Sequence, residues 1–248
     1  MKETFEDANN RIAGGMFDRL APSYDLLNHL LSLGIDFRWR KKAVKALGIR
    51  PGDLILDIAT GTGDLAFAAL GESRCTVVGI DLSPAMLSLA SRKKERKNQR
   101  GCYILVRADA RDVPFRDHSF HHAMISYGVR NIPDWDRLFG EIGRVLKKGG
   151  KVAILEFSVP ESAPFRIPYL FYLERFLPLI GEAVSGHRQP YAYLRDTVKA
   201  FPPPKEVIRR MEDQGFTVFD ARPLTFGICH LYVAGIKGSR LSRRREKG

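Results

Sequence analysis

The sequence predicts an α/β protein built on a doubly wound, mostly parallel sheet of seven strands, a Rossmann-like fold. Three observations support this prediction: short apolar segments alternate with helical segments, a glycine-rich turn follows the first apolar segment, and acidic residues follow the next two. Strands that are buried between two layers of helices form short, continuous apolar runs. The 248 residues, of which 44% are hydrophobic, are sufficient for a single domain, 1–248, with its own core.

The elements can be assigned in order along the chain. Residues 1–50 are expected to form N-terminal helices, near 17–31 and 37–47. Seven apolar segments are typical of strands: 54–59, 75–81, 103–109, 121–128, 151–157, 216–224 and 228–237. Helical patterns lie between them at 65–70, 83–95, 135–146 and 204–215.

Residues 158–200 interrupt this alternation with a segment rich in aromatic residues and prolines. In an open α/β sheet, ligands bind beyond the carboxyl ends of the strands, and this insert leaves the carboxyl end of strand 151–157. We therefore interpret 158–200 as a helical lid over the substrate. The alternative is that it forms ordinary core helices.

The formal net charge of +12 indicates an anionic partner, which could be nucleic acid, anionic lipid or a phosphorylated substrate. Part of the charge lies in the terminal segment 238–248, which we expect to be a disordered basic tail that contacts an anionic membrane surface or is simply solvated. The sequence has no secretory signal and no apolar run of about 18 residues. We expect a cytoplasmic protein, in peripheral contact with the inner face of the membrane.

The three cysteines are scattered, and none lies at metal-ligand spacing from a histidine or another cysteine. Neither a disulfide nor a metal site is expected.

The motif ILDIATGTGDL indicates a nucleotide-type cofactor site. Asp57 ends a strand, and Gly61 and Gly63 lie in the turn that begins the next helix, where glycine lets the backbone approach a ligand closely. A dinucleotide site would present G-x-G-x-x-G and a helix N-terminus to a pyrophosphate. Here acids flank the turn, which suits a cationic ligand without phosphate. This favours S-adenosylmethionine, with its sulfonium and ammonium groups.

Acidic residues after the next two strands support this assignment. Asp81 is placed to accept hydrogen bonds from both ribose hydroxyls, with the adjacent Leu82 at the same site. Its alternative role as a helix cap is already filled by Ser83, which precedes Pro84. The remaining contacts are expected at Asp109 and Ala110 for the adenine amino group and at Ser126 for the methionine portion.

The chain resembles the ubiquinone/menaquinone biosynthesis C-methyltransferases over nearly its whole length. The resemblance rests on YDLLNHLLSLGIDFRWR, DIATGTGD, VPFRDHSF, ISYGVRNIPD, RVLKKGGKVAILEFS, YAYLRDTVKAFP and LTFGICHLY. It implies a class I S-adenosylmethionine-dependent methyltransferase whose substrate is a prenylated quinol, either demethylmenaquinol or 2-methoxy-6-polyprenyl-1,4-benzoquinol. It also implies cofactor contacts at Thr62, Asp81, Asp109, Ala110 and Ser126. The chain departs from the family's pattern at His121, His187 and Tyr232, which bears on the substrate more than on the cofactor.

Methyl transfer to a ring carbon requires that carbon to be electron-rich, so a phenol of the quinol must lose its proton or nearly do so. Arg130 could stabilise the developing phenolate, and Asn131 with Tyr24 could relay the proton through water. Tyr24 is also assigned to the active centre by the resemblance. Arg130 could instead form a surface salt bridge to Asp134 or Asp136. The lid residues His187 and Arg188 are alternative catalytic groups.

Two other functions fit the same fold. The first is a methyltransferase for another small molecule or for RNA. RNA would agree with the basic charge, but no added binding module or groove of stacking aromatics is evident, so no nucleic-acid partner is expected. A non-catalytic, cofactor-binding scaffold in a quinone-biosynthesis assembly is the third alternative. The protein could form a homodimer or be part of such an assembly.

Overall fold

The computed structural model describes residues 28, 29, 32, 34–99, 101–177, 179 and 189–236. The strands in these residues are β1 (Leu54–Ile58), β2 (Thr76–Asp81), β3 (Tyr103–Arg107), β4 (Phe120–Ser126), β5 (Leu146–Phe157), β6 (Phe216–Leu224) and β7 (Cys229–Ile236). The helices whose bounds fall there are α1 (Asp36–Leu47), α2 (Asp64–Glu72), α3 (Pro84–Arg96), α4 (Trp135–Val145), α5 (Ala163–Phe171), α6 (Gln189–Ala200) and α7 (Pro204–Asp213). A π-helical turn, Tyr172–Phe176, follows α5 directly.

The strands form one seven-stranded sheet in the order β3-β2-β1-β4-β5-β7-β6. The pairs from β3 to β5 are parallel, whereas β7 is antiparallel to both β5 and β6. Chain order reverses between β1 and β4, and this is the position at which open α/β sheets bind ligands. The predicted fold class is confirmed.

Helices cover both faces of the sheet, because the central strands bury apolar side chains on both sides. One apolar cluster joins α1 and α2 to the first face, and a second joins α4 and α7 to the other. In the insert, Leu173 and Tyr191 belong to the first cluster and have no exposed surface. The inner side of the insert is therefore part of the core, while its outer side is exposed.

Two strand boundaries differ from the sequence prediction. β3 ends at Arg107 instead of 109, because the chain turns there and the amide of Asp112 donates to the carbonyl of Asp109. β5 begins at Leu146 instead of 151, because Leu146 pairs with Phe120 of β4 before a register shift. Each of the other strands and helices whose ends are described lies within a few residues of its predicted position.

Some predicted segments fall outside the described residues. These are most of the helix expected near 17–31, the central part of the lid at 178 and 180–188, and the basic tail at 238–248. Among the described helices, none has the length and apolarity needed to span a bilayer.

Candidate active site

A polar pocket opens at the carboxyl ends of β1 and β4, beside the start of α2. It includes three residues predicted from the sequence, Gly61, Thr62 and Ser126. Two more lining residues, Ala59 and Asp64, belong to the predicted turn motif, and the sequence analysis missed the others, which are Asn28, Arg40, Thr60, Leu65 and Tyr127.

The turn from β1 to α2 forms one wall of this pocket. Ala59, Gly61 and Gly63 all have positive φ angles, of 50°, 55° and 90°. A Cβ atom at Gly63 would lie 2.8 Å from the Tyr103 hydroxyl, so this position has no room for a larger residue. The backbone conformation and the close neighbour therefore both require glycine at Gly63, while the close approach of a ligand to this turn stays a prediction.

Asp57 lies beneath the turn and does not line the pocket. Its carboxylate is 1% exposed and accepts a hydrogen bond from the Thr60 hydroxyl, which lies 2.6 Å from the hydroxyl of Tyr103. Burial raises the pKa of Asp57 to about 7, against the opposing effect of the Thr60 hydrogen bond. The side chain therefore holds the turn in place, a role that differs from the direct ligand contact predicted for it.

Asp81 holds the same turn from the neighbouring strand. One carboxylate oxygen accepts a 2.8 Å hydrogen bond from the amide of Gly61, and the other accepts a 2.9 Å bond from the amide of Ser83. The Ser83 hydroxyl accepts from the amide of Met86, which confirms the predicted helix cap. Leu82, beside it, is 41% exposed.

Asp109 is placed in the turn after β3, bound to its own neighbour. The guanidinium and amide of Arg111 donate to its carboxylate at 2.8–3.1 Å. Burial tends to raise the pKa of Asp109, but these bonds and the charge of Arg111 bring it below its ordinary value. Asp109 is therefore ionised at neutral pH, with Ala110 buried next to it.

Arg130 has a partner that the sequence analysis did not anticipate. Its guanidinium forms a buried ion pair with Glu156 at the end of β5 and donates to the carbonyl of Tyr127 at 2.7 Å. The carboxylate of Asp134 caps α4 by accepting a hydrogen bond from the amide of Arg137. Because Glu156 neutralises its charge, Arg130 is poorly suited to stabilise a phenolate and well suited to shape the loop after β4.

Asn131 connects this loop to the insert. Its side-chain oxygen accepts a 2.9 Å hydrogen bond from the hydroxyl of Tyr193 on α6, and its amide lies 3.4 Å from the carbonyl of Tyr127. Tyr127 has a φ of 59°, which is unusual for a residue other than glycine. The loop is thus held in a strained conformation by contacts from both β5 and α6.

Three further candidates, Tyr24, His187 and Arg188, lie outside the described residues. Two positions that depart from the family's pattern can be placed. His121 lies at the opposite end of the sheet, where its ring accepts from the amide of Leu54, and Tyr232 is buried in β7. Neither of these two lines the pocket.

Comparison with known proteins gives the family. The sequence model of the ubiE/COQ5 methyltransferase family matches residues 5–237. A demethylmenaquinone methyltransferase of Thermus thermophilus is 42% identical over 220 residues, covering 88% of this chain and 98% of that protein. The ubiquinone/menaquinone biosynthesis C-methyltransferase UbiE of Geobacter sp. strain M21 is 44% identical over 221 residues, covering 88% of this chain and 93% of that protein.

A solved structure supports the fold. A SAM-dependent methyltransferase from Aquifex aeolicus superimposes with a TM-score of 0.56 at 18% identity, covering 79% of this chain and 88% of that chain. The resemblance inferred from the sequence motifs and the expected cofactor are confirmed by the family match. The chain belongs to the ubiE/COQ5 methyltransferase family and is an S-adenosylmethionine-dependent methyltransferase.

Proposed function

We propose that this enzyme methylates a ring carbon of a prenylated quinol, converting demethylmenaquinol to menaquinol. The main support for this proposal is sequence identity to two relatives named demethylmenaquinone methyltransferase. The identity is 42% to the protein of Thermus thermophilus and 38% to that of Bacteroides fragilis. The second candidate substrate is 2-methoxy-6-polyprenyl-1,4-benzoquinol. It is favoured by the relative at 44% identity whose name covers both ubiquinone and menaquinone biosynthesis.

The residues of the pocket fit the cofactor's chemistry. When bound, S-adenosylmethionine supplies a methyl group on a sulfonium centre that is already activated for transfer. We assign Gly61, Thr62 and Ser126 to its methionine portion, since all three line the pocket. We assign Gly63 an indirect role: because it has no side chain, the turn can pack closely against the Tyr103 ring.

The ribose and adenine contacts are assigned along the same edge of the sheet. Asp81 is fixed by two backbone amides at the end of β2, and an ionised carboxylate is the best acceptor for two hydroxyl groups. Asp109 and Ala110 follow β3, the next strand in the sheet, so they can meet the adenine ring at the far end of the ligand. Leu82 lies between these positions and offers an exposed apolar side chain for contact with the base.

For the chemical step, we assign Asn131 to orienting the quinol or a water molecule, and Arg130 to positioning. Arg130 acts through its bond to the Tyr127 carbonyl and its ion pair with Glu156. Asn131 is oriented by Tyr193, which reaches it from the insert. Tyr24 stays a predicted partner in proton transfer.

The hydrogen bond from Tyr193 to Asn131 joins α6 to the loop after β4. This contact supports the interpretation of 158–200 as a substrate lid.

We also propose peripheral contact between the insert and an anionic membrane, where a prenylated substrate resides. The outer side of the insert exposes large apolar side chains, and the Phe165 and Phe226 rings stack 4.2 Å apart there. Arg166 and Arg175 are exposed along the same segment and carry charges that complement anionic headgroups. The exposed apolar residues of this lid face are Phe165, Ile167, Phe171, Phe176, Leu179 and Phe226.

The proposed substrate can be tested directly with the purified enzyme. We expect a labelled methyl group to pass from S-adenosylmethionine to demethylmenaquinol, giving a product heavier by one CH2 in mass spectrometry. The benzoquinol serves as the competing substrate in the same assay. Labelling of the benzoquinol alone would reject the menaquinone proposal, and labelling of neither would reject quinol methylation.

Replacing Asp81 tests the cofactor assignment. Because hydrogen bonds to an ionised group contribute about 1.5–3 kcal/mol, we expect Asp81→Ala to weaken binding of S-adenosylhomocysteine by about 10- to 100-fold in titration calorimetry. Asp213→Ala, at an exposed position at the end of α7, is the matched control. A folded Asp81 variant with unchanged affinity would contradict the assignment.

The role of the lid contact is tested by Tyr193→Phe, which removes only the hydroxyl that bonds to Asn131. A lost neutral hydrogen bond of about 1 kcal/mol predicts a decrease in kcat of about fivefold, with unchanged affinity for S-adenosylhomocysteine. Tyr232→Phe is the control, because that hydroxyl is buried with no hydrogen-bond partner among the described residues. Equal kcat values for the two variants would contradict the proposal that Tyr193 orients Asn131.

Membrane contact is tested by co-sedimentation with phosphatidylcholine vesicles that contain or lack phosphatidylglycerol. We expect binding to the anionic vesicles, and at least a tenfold loss in the double variant Ile167→Glu and Phe171→Glu, because charges oppose insertion of the lid face. Ile104→Glu, at a 46% exposed apolar residue on the edge strand β3, is the control. Equal loss in the control, or no loss in the lid variant, would count against this surface.

A further inference from the structure

An arginine at the wall of the pocket has no role in the function described so far. Arg40 lies on α1, on the side that packs against the sheet together with Trp39, Val44 and Leu47. It is 3% exposed, yet it lines the pocket. A buried cation is unfavourable unless it is paired or binds a ligand, so its position among apolar neighbours requires an explanation.

Part of that explanation is a supporting network in α1 and the segment before it. The guanidinium of Arg40 forms an ion pair with Asp36, one helical turn earlier. The same carboxylate accepts a 2.8 Å hydrogen bond from Ser32 and lies 2.9 Å from Nδ1 of His29. Burial tends to raise the pKa of Asp36, but Arg40 and these hydrogen bonds bring it below its ordinary value. Asp36 is therefore an ionised, rigid support for the arginine.

The donors of Arg40 exceed what this network uses. A guanidinium has five N–H groups in a planar fork, and Nε of Arg40 is buried with no hydrogen-bond partner among the described residues. The carboxylate of Asp64, which lines the pocket, is 3.8 Å from Arg40 and lies closer, at 2.8 Å, to Lys93. The face of Tyr127 lies 5.3 Å from the guanidinium carbon and confines its position.

The surroundings of Arg40 favour an anion over a cation. Lys93 donates to the Thr62 hydroxyl at 3.0 Å, so a second cation reaches the same wall of the pocket. The turn that begins α2 also lies there, and the N-terminus of a helix favours negative charge. The planar fork of an arginine can donate two parallel hydrogen bonds to a carboxylate.

We propose that Arg40 binds the carboxylate of the methionine portion of S-adenosylmethionine, and that Asp36 positions the guanidinium for this contact. The inference rests on the proposed assignment of this pocket to the methionine portion. It adds to that assignment the group that recognises the amino-acid end of the cofactor. Asp64 and Ser126, which also line the pocket, are then available to bind the ammonium group.

Decarboxylated S-adenosylmethionine provides the test, because it keeps the sulfonium and ammonium groups and lacks only the carboxylate. We expect the unmodified enzyme to bind S-adenosylmethionine about 10- to 100-fold more tightly than the decarboxylated ligand in titration calorimetry. Arg40→Met should weaken binding of S-adenosylmethionine by the same factor and change binding of the decarboxylated ligand by less than about threefold. Arg38→Met, at an exposed position on the same helix, should change neither.

Removing Arg40 leaves Asp36 buried without its cation, which threatens folding. The double variant Asp36→Asn and Arg40→Met avoids this, since the amide can still bond to Ser32, and it should show the same selective loss. Equal weakening of both ligands, or no weakening, would overturn the inference and leave the proposed function standing. Failure of the unmodified enzyme to bind either ligand would instead reject the cofactor site itself.

Discussion

The attachment of one turn to two strands is the constraint on which the site depends. Asp57 holds the β1–α2 turn from below through Thr60, and Asp81 holds it from the side through the amide of Gly61. These bonds fix the turn in a left-handed conformation that places its backbone against the pocket. The arrangement requires a fully buried carboxyl group, and burial raises its pKa to about 7. The protein thus maintains the turn at the expense of burying an ionisable carboxyl group in the core.

The loop after β4 is the second part of the candidate site, and it links the pocket to the insert. Tyr127 of this loop lines the pocket, and its carbonyl accepts a hydrogen bond from Arg130. A Cβ atom at Gly128 would lie 2.9 Å from that of Ala59, so this loop and the β1–α2 turn are in direct contact. Asn131 extends the connection to Tyr193 of α6. These contacts connect the insert to the pocket, as the proposed lid over a second substrate requires.

The success of sequence analysis varied with the type of signal. The limits of β1 and β2 were predicted to within one residue, because both strands are continuous apolar runs that end in an acid or a glycine-rich turn. The predicted end of β3 was wrong, because no local sequence signal distinguishes the strand from the turn that Asp109 holds. Arg40 was missed, although a signal existed: it follows Trp39 on the apolar face of α1, where an arginine is unusual. Its importance emerges only when Asp36, four residues earlier, is placed on the same buried side.

The amino-acid sequence by itself determined the α/β alternation, the order of the elements, the glycine turn and the acids that follow β1 and β2, because these depend on hydrophobic periodicity and backbone preferences over short distances. Only the tertiary structure decided which charged side chains meet. The buried pair of Arg130 with Glu156 joins residues 26 positions apart, and the approach of Arg40 to the β1–α2 turn crosses between separate elements. Such pairings arise from the packing of helices and strands against one another, so no local pattern encodes them.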